Sequence, residues 1–265
     1  FTSSNYFKMV KNHKVTFSIL VSSQIYGLLK DKTEFDKFYL KRGLVSASST
    51  LSNDAKQKII DKKIKLYEMY GASEIGTVTS INLNKERKKI KSVGKSYNKN
   101  IKIKILSDKN KFLKNNQKGE IVCKTPVRFK NYLGLKKITK NSFFKSFFRT
   151  GDIGYLDNKK YLYFLGRKKN IIRRSGITIY PEDIENIFIN DKNIQEVAVI
   201  GIKNISNEDI CLFVKKNKKI SLDYIKEICI KKLSTFQIPN KIYLINEFPK
   251  TNLGKIDKKL LLNFL

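Results

Sequence analysis

Four short stretches of the chain combine glycine with side chains that can bind a phosphorylated ligand. Tyr70-Gly71-Ala72-Ser73-Glu74 sets a hydroxyl beside a carboxylate at a glycine turn, which suits Mg²⁺ and nucleotide phosphates, and its aromatic ring can stack on a base. Thr150-Gly151-Asp152 sets a carboxylate on a predicted glycine turn, where it can accept hydrogen bonds from both hydroxyls of a ribose. Either stretch by itself is also typical of an ordinary turn that binds nothing.

The other two stretches follow later in the sequence. Residues 166–185 hold a Gly-Arg pair behind an aromatic strand, a basic run, a Ser-Gly turn and a helix that starts at a proline. Residues 249–256 form a predicted loop in which Lys255 can bring a positive charge to a developing phosphate anion. A lone lysine in a loop is usually only solvated, so the interpretation depends on all four stretches and their order.

Composition and cysteine spacing argue against nucleic-acid-binding, membrane-spanning and metal-cluster proteins. The 265 residues carry a formal net charge of +32, but lysine is spread along the whole chain. Arginine, which binds phosphates and bases better than lysine, is sparse, so the charge does not indicate a nucleic-acid surface. No apolar run approaches the roughly 18 residues of a membrane span. Cys123, Cys211 and Cys229 stand far apart in apolar surroundings, which predicts reduced core thiols in a cytosolic protein. The single histidine, His13, is predicted to lie on the surface.

The first 77 residues alternate between strand and helix patterns. The predicted elements are a strand that gives way to a helix at about Ser22 within Val15–Leu29, a strand at Tyr39–Val45, a Ser-rich loop at Ser46–Asn53, a helix capped by Ser52 that includes Ala55–Ile60, and a strand at Lys65–Tyr70. This alternation predicts a parallel sheet with crossover helices.

Two further patterns of predicted secondary structure follow in the sequence. Short strands separated by turns predict a compact antiparallel barrel or sheet: Lys102–Leu106, Glu120–Thr125, Ile153–Leu156 and Tyr161–Leu165. The last 90 or so residues predict a small α+β domain with the order α-β-β-α-β: a helix from Pro181, strands at Glu196–Ile202 and Ile210–Lys215, a helix capped by Ser221, and a strand at Lys241–Ile245.

Taken in order, the four stretches resemble the motifs of the adenylate-forming enzymes, which include acyl- and aryl-CoA synthetases, peptide-synthetase adenylation domains and luciferases. The resemblance covers nearly the whole chain, as the C-terminal half of such an enzyme. It implies an α/β plus α+β fold. Residues 1–167 would be the end of the large AMP-binding domain, with a parallel sheet and a small β-barrel, residues 168–170 a hinge, and residues 171–265 a small mobile domain.

The resemblance implies a nucleotide site in the large domain. Tyr70 would flank the adenine, with Gly71 in the same turn, and Ser73 would contact the phosphates in place of the family's usual threonine. Glu74 would hold Mg²⁺, and Asp152 would bind the ribose hydroxyls.

The remaining motif residues are implied to act around the hinge. Arg167 would bind the ribose and phosphate region, and Lys169 occupies the hinge position. Gly176 would border the pantetheine tunnel after the small domain rotates. Lys255 matches the lysine that promotes adenylate formation.

The implied reaction has two steps. The carboxylate of a small-molecule acid, a fatty or other acyl acid, attacks ATP to give acyl-AMP and pyrophosphate. A thiol then displaces AMP, and that thiol belongs either to CoA, in a free-standing acyl-CoA ligase, or to the phosphopantetheine of an acyl carrier protein. A third alternative, an inactive remnant or a basic binding module, also stays open.

The sequence also departs from the family pattern. The Ser/Thr/Gly-rich phosphate loop that ends in Pro-Lys-Gly is absent from the 265 residues, so its backbone donors to the β- and γ-phosphates are missing. Val45–Leu51 carries serine and threonine where relatives have a Gly-Ala-x-Pro adenine loop, Asn170 replaces a common aspartate, and Lys258 a common arginine. We therefore expect the chain to be incomplete by itself, as a fragment or one half of a split protein.

Overall fold

The computed structural model describes residues 2–31, 34–35, 38–47, 51–191, 193–204, 208–251 and 254–265. Its contacts divide the chain into two compact units, Phe1–Phe164 and Leu165–Leu265. This division falls a few residues before the predicted hinge at 168–170, and the hinge itself stays a prediction.

The first unit begins with a mixed sheet whose strand order is β1-β2-β3-β4-β5. Strands β1, β2 and β3 are parallel, while β4 and β5 continue the sheet in antiparallel fashion. The elements are α1 (Ser3–Asn12), β1 (Phe17–Val21), α2 (Ser22–Lys30), β2 (Gly43–Ala47), α3 (Asn53–Asp61), β3 (Leu66–Ala72), β4 (Gly76–Asn82) and β5 (Lys95–Ser96). The predicted parallel sheet with crossover helices is confirmed.

Two boundaries in this sheet differ from the prediction. The strand expected at Tyr39–Val45 begins only at Gly43. Its apolar pattern starts earlier because Leu40 is also buried in the core, although it does not pair in the sheet. The predicted Ser-rich loop loses Ser46 and Ala47 to β2, and its residues 48–50 lie outside the described residues. The cap is confirmed, since Ser52 Oγ accepts the backbone N–H of Ala55 at 3.3 Å.

The rest of the first unit is an antiparallel sheet with the strand order β10-β9-β7-β6. Its elements are β6 (Lys102–Leu106), β7 (Gly119–Lys124), α4 (Lys136–Asn141), β8 (Phe143–Phe144), β9 (Phe147–Leu156) and β10 (Leu162–Arg167), whose last three residues already belong to the second unit. The strand predicted at Ile153–Leu156 is only the end of the longer β9, and the strand predicted at Tyr161–Leu165 continues to Arg167. The longer strands matter because both carry motif residues.

The second unit has the predicted order α-β-β-α-β, preceded by a hairpin that the sequence reasoning missed. Its elements are β11 (Ile172–Arg174), β12 (Ile177–Ile179), α5 (Pro181–Ile189), β13 (Val197–Lys203), β14 (Glu208–Lys215), α6 (Leu222–Lys232) and β15 (Lys241–Ile245). Strand β14 lies between antiparallel β13 and parallel β15. Both helices contribute buried side chains to one apolar core with the sheet, including Ile184, Phe188 and Ile225.

Local signals for the second unit's helices are confirmed. Pro181 occupies the first turn of α5, where its missing N–H costs nothing. Ser221 Oγ accepts the backbone N–H of Tyr224 and so caps α6. The three cysteines are free and buried, as predicted. Among the helices described, none is long and apolar enough to cross a membrane.

Candidate functional site

The Tyr70–Glu74 motif forms the end of β3 and the turn into β4. Pairing of the two strands shifts register between Tyr70 and Gly71, and the turn closes with the backbone N–H of Ile75 donating to the Ala72 carbonyl. Ser73 is exposed on this turn, while Glu74 is half-buried. The predicted tight turn at the end of a strand is therefore present.

Gly71 is required by the close approach of the two strands. A Cβ atom at this position would lie 2.2 Å from the Gly76 carbonyl oxygen and 2.8 Å from Thr77 Cα, both of them backbone atoms. No side-chain rearrangement can relieve such a contact, so a larger residue must push β3 and β4 apart.

We expect Gly71→Ala to lower the midpoint of urea unfolding, followed by far-ultraviolet circular dichroism, at a cost of about 1–3 kcal/mol. The matched control is Gly27→Ala in α2, where the new Cβ would meet only Ser3 Oγ at 3.4 Å. Alanine favours a helix over glycine, so the control should be neutral or stabilising. Equal tolerance of both substitutions would contradict the assigned strand contact.

The Thr150–Asp152 motif is a β-bulge inside β9, not the predicted turn. Strand β7 pairs with β9 at Glu120 and again at Val122, and the motif occupies the gap opposite a single β7 residue. Gly151 has φ +69°, the left-handed conformation that glycine adopts most readily. The prediction was wrong because a glycine signal marks a bulge as well as a turn, and bulges re-aim side chains next to functional sites.

Tyr70 and Asp152 are in direct contact. The Tyr70 hydroxyl donates a hydrogen bond to Asp152 Oδ2 at 2.6 Å. Asp152 is only 4% exposed, and its backbone N–H donates to Thr150 Oγ1 at 3.1 Å. Burial raises the pKa of Tyr70 well above its usual value, and the charge of Asp152 raises it further. Tyr70 is therefore a neutral donor that fixes the orientation of a buried carboxyl group.

The thiol beside this pair is not a nucleophile. Burial, and then the charge of Asp152, raise the pKa of Cys123 to about 12. Because only the thiolate is reactive, Cys123 is inert at neutral pH. It belongs to the same apolar cluster that Tyr70 packs against.

Glu74 has a partner that the sequence reasoning missed. The Tyr132 hydroxyl donates to Glu74 Oε1 at 2.8 Å, and the Phe129 N–H donates to the Glu74 carbonyl at 2.8 Å. Burial and then the hydrogen bond to Glu74 raise the pKa of Tyr132. The ring centroids of Phe129 and Tyr132 lie 4.6 Å apart, so Phe129 packs against the tyrosine that contacts the Glu74 carboxylate. No spacing in the sequence connects Tyr132 to Glu74, 58 residues earlier.

In the second unit, Gly166 and Arg167 end β10 against the start of α5. A Cβ at Gly166 would lie 2.4 Å from Glu182 Oε2, and its φ of +153° is a backbone conformation that favours glycine. Burial raises the pKa of Glu182 to about 7, opposed by the charge of Lys258 and by a hydrogen bond from the Arg167 backbone. The Arg167 side chain itself is exposed.

The other motif residues of the second unit lie on turns. Lys169 is exposed in a short 3₁₀ turn at Lys168–Asn170. Ser175 and Gly176, with φ +49° and +77°, form the two-residue turn between β11 and β12. Lys255 is exposed in the loop predicted at 249–256, of which residues 252 and 253 lie outside the described residues.

Two family models match the chain. The model described as AMP-binding enzyme matches residues 1–133, half of the chain, and the model described as AMP-binding enzyme C-terminal domain matches residues 183–255. The chain belongs to the AMP-binding enzyme family. The resemblance to adenylate-forming enzymes, read from four motifs, is thereby confirmed.

Relatives of this family member are named as CoA ligases. YdaB of Bacillus subtilis, provisionally named an acyl-CoA ligase, is 30% identical over 224 residues, which are 83% of this chain and 44% of YdaB. The 2-succinylbenzoate–CoA ligase of Listeria innocua is 35% identical over 144 residues, 54% of this chain and 31% of the ligase. The chain thus spans less than half the length of either protein.

The fold prediction is confirmed by a solved structure. O-succinylbenzoate coenzyme A synthetase (MenE) from Bacillus subtilis, in complex with ATP and magnesium ion, has a TM-score of 0.87 to this family member. The match covers 99% of this chain and 54% of the synthetase at 23% identity. At that identity the likeness establishes the fold alone.

The family matches do not cover all of the predicted site residues. Tyr70, Gly71, Ser73 and Glu74 fall in the first match, Lys255 is the last residue of the second, and Asp152, Arg167, Lys169 and Gly176 fall between them. The roles of the intervening residues therefore depend on their motifs and contacts.

Proposed function

We propose that this chain is the C-terminal half of an AMP-forming acyl-CoA ligase, which converts a carboxylic acid and ATP to acyl-AMP and then to an acyl-CoA thioester. The observation that carries the proposal is the hydrogen bond between Tyr70 and Asp152. These residues come from two motifs 82 positions apart, and their direct contact supports a shared role in binding one nucleoside. The names of the CoA-ligase relatives support the same reaction class.

In this proposal Asp152 binds the ribose and Tyr70 flanks the adenine. A buried carboxylate is a strong acceptor for hydroxyl donors, and hydrogen bonds to charged groups are worth about 1.5–3 kcal/mol each. Tyr70 holds one oxygen of that carboxylate at 2.6 Å and so sets the direction in which it accepts. Gly71 lets the two strands approach, and Ser73 contacts the phosphates from the exposed turn.

Glu74 would hold Mg²⁺. Within the described ranges, no group of three or more His, Cys, Asp or Glu side chains could hold a metal ion. A single carboxylate still fits Mg²⁺, which keeps several waters and binds substrate phosphates beside one or two protein carboxylates. The Tyr132 hydroxyl orients this carboxylate, and bound Mg²⁺ would neutralise charge on the phosphates.

The second unit would contribute groups for two half-reactions. Arg167 binds the ribose and phosphate region, and Lys255 stabilises negative charge during acyl-AMP formation. Lys169 serves as the hinge, and Gly176 borders the path of the pantetheine thiol, where its position in an open turn leaves space. We propose CoA as the thiol, a small-molecule carboxylate as the acyl donor, and the cytoplasm as the compartment, which the free cysteines support.

Asp152→Asn is expected to weaken binding of AMP to the full chain about 10- to 100-fold, measured by calorimetric titration. Asparagine preserves the size of the side chain and an acceptor for Tyr70, but it removes the charge that attracts ribose hydroxyls. Asp157→Asn, an equally small change in the turn between β9 and β10, should leave the affinity unchanged. The same affinity in the wild type and Asp152→Asn would contradict the assigned role.

A further inference from the structure

Lys255 lies in a hairpin whose described arms are residues 249–251 and 254–257. Its two arms meet in a β-bridge between Lys250 and Ile256. The backbone N–H of Thr251 donates to the Lys255 carbonyl at 2.8 Å. The backbone direction at Lys255 is therefore set by how the two arms are attached to the rest of the second unit.

Glu196 attaches the first arm to the sheet. Its Oε1 lies 2.7 Å from Lys250 Nζ, and its Oε2 accepts a hydrogen bond from Lys215 Nζ at 3.1 Å. Glu196 directly precedes β13, and its carbonyl accepts the backbone N–H of Lys215 in β14 at 3.0 Å. Burial raises the pKa of Glu196, but the hydrogen bonds and charges of Lys250 and Lys215 outweigh it and lower the pKa overall.

Glu185 attaches the second arm. Lys258, the residue after the hairpin, places its Nζ 2.6 Å from Glu185 Oε1. The same oxygen accepts the backbone N–H of Val199 in β13 at 2.7 Å. Both arms are thus connected, each through one carboxylate, to β13 or to the residue before it.

We infer that Glu196 and Glu185 are positioning residues for Lys255. They hold both arms of its hairpin against one strand and so fix where the Lys255 ammonium group can reach. The catalytic role of Lys255 belongs to the function proposed above. The attachment of the hairpin does not depend on that role.

These pairs differ from ordinary surface ion pairs. The side chains of Glu196 and Glu185 are 22% and 19% exposed, against 46% and 23% for Lys250 and Lys258, and each carboxylate also has a second partner. Glu227 pairs with Lys231 on α6 with the two side chains 57% and 68% exposed, a setting in which ion pairs contribute little. Glu227→Gln is therefore the matched control for Glu196→Gln.

The first experiment measures hydrogen exchange of the full chain by nuclear magnetic resonance. In Glu196→Gln and in Lys250→Met, the hairpin amides of Thr251 and Asp257 should exchange faster, by about tenfold, while the α6 amides keep their rates. Glu227→Gln should change neither. Unchanged hairpin rates, or an equal rise across the second unit, would overturn the inference.

The second experiment separates positioning from stability with a double-mutant cycle on the affinity for ATP and Mg²⁺. Glu196→Gln should weaken binding in the wild-type background and have no further effect in the Lys255→Met background. Equal losses in both backgrounds would overturn the positioning role. A wild-type chain that binds no nucleotide would count against the proposed function, and the exchange rates alone would then decide whether the hairpin is held.

Discussion

Lys255→Ala is expected to slow acyl-AMP formation about 10²- to 10³-fold and to leave acyl transfer from supplied acyl-AMP to CoA unchanged. In the proposed reaction Lys255 stabilises the negative charge that develops on the phosphate while the carboxylate displaces pyrophosphate. Rotation of the small domain would then withdraw Lys255 before the thiol displaces AMP, so thioester formation would not depend on it. Lys255 is exposed on a hairpin that is closed by the β-bridge between Lys250 and Ile256, so removing its side chain leaves no cavity in the core.

Both half-reactions can be measured in one protein. The phosphate-loop-bearing N-terminal half of a curated relative is joined to the N-terminus of this chain, pyrophosphate release reports adenylation, and acyl-CoA is quantified by chromatography. Lys259→Ala, an exposed lysine four residues later, serves as the control and should affect neither step. Equal loss of both half-reactions in Lys255→Ala would refute the assigned role.

Lys56→Met is expected to destabilise the first unit by about 3–5 kcal/mol. Lys56 in α3 and Glu68 in β3 are 1% and 3% exposed, and their charged atoms lie 2.5 Å apart. Lys56 Nζ also donates to the Ile90 carbonyl at 2.9 Å. Burial raises the pKa of Glu68, opposed chiefly by the charge of Lys56, so removing the lysine leaves a buried carboxyl group without its partner.

The double variant Lys56→Met/Glu68→Leu tests this explanation. Replacing a whole buried ion pair with apolar residues is often neutral or stabilising, so the double variant should recover most of the lost free energy of unfolding in urea. A double variant that is no more stable than Lys56→Met would contradict the unpaired carboxyl group as the source of the loss. A single variant within about 1 kcal/mol of the wild type would contradict the burial of the pair.

Local signals predicted the elements that depend on neighbouring residues. Ser52 and Ser221 cap helices, Pro181 starts one, and the switch from strand to helix at Ser22 follows the change in apolar spacing. Each of these signals acts within one turn of the backbone. Such features can be predicted from sequence because no distant contact is needed to decide them.

Contacts between distant residues were not predictable in the same way. The motifs suggested that Tyr70 and Asp152 serve one ligand, but not that the tyrosine hydroxyl binds the carboxylate. Tyr132 gave no local signal because its role depends on the path of the chain between β7 and β9. The burial of Lys56 could have been predicted from the sequence. Ile59 and Ile60 follow it by three and four residues, and this spacing puts all three residues on the buried face of α3.

Supplying the reactive intermediate tests most directly whether this chain carries the chemistry of a CoA ligase. Chemically prepared 2-succinylbenzoyl-AMP and hexadecanoyl-AMP are each incubated with the full chain and CoA, and AMP and acyl-CoA are quantified. We expect AMP release that depends on CoA and matches the acyl-CoA formed. Release that requires a phosphopantetheinyl carrier protein instead of CoA, or that never exceeds hydrolysis without protein, would contradict the account.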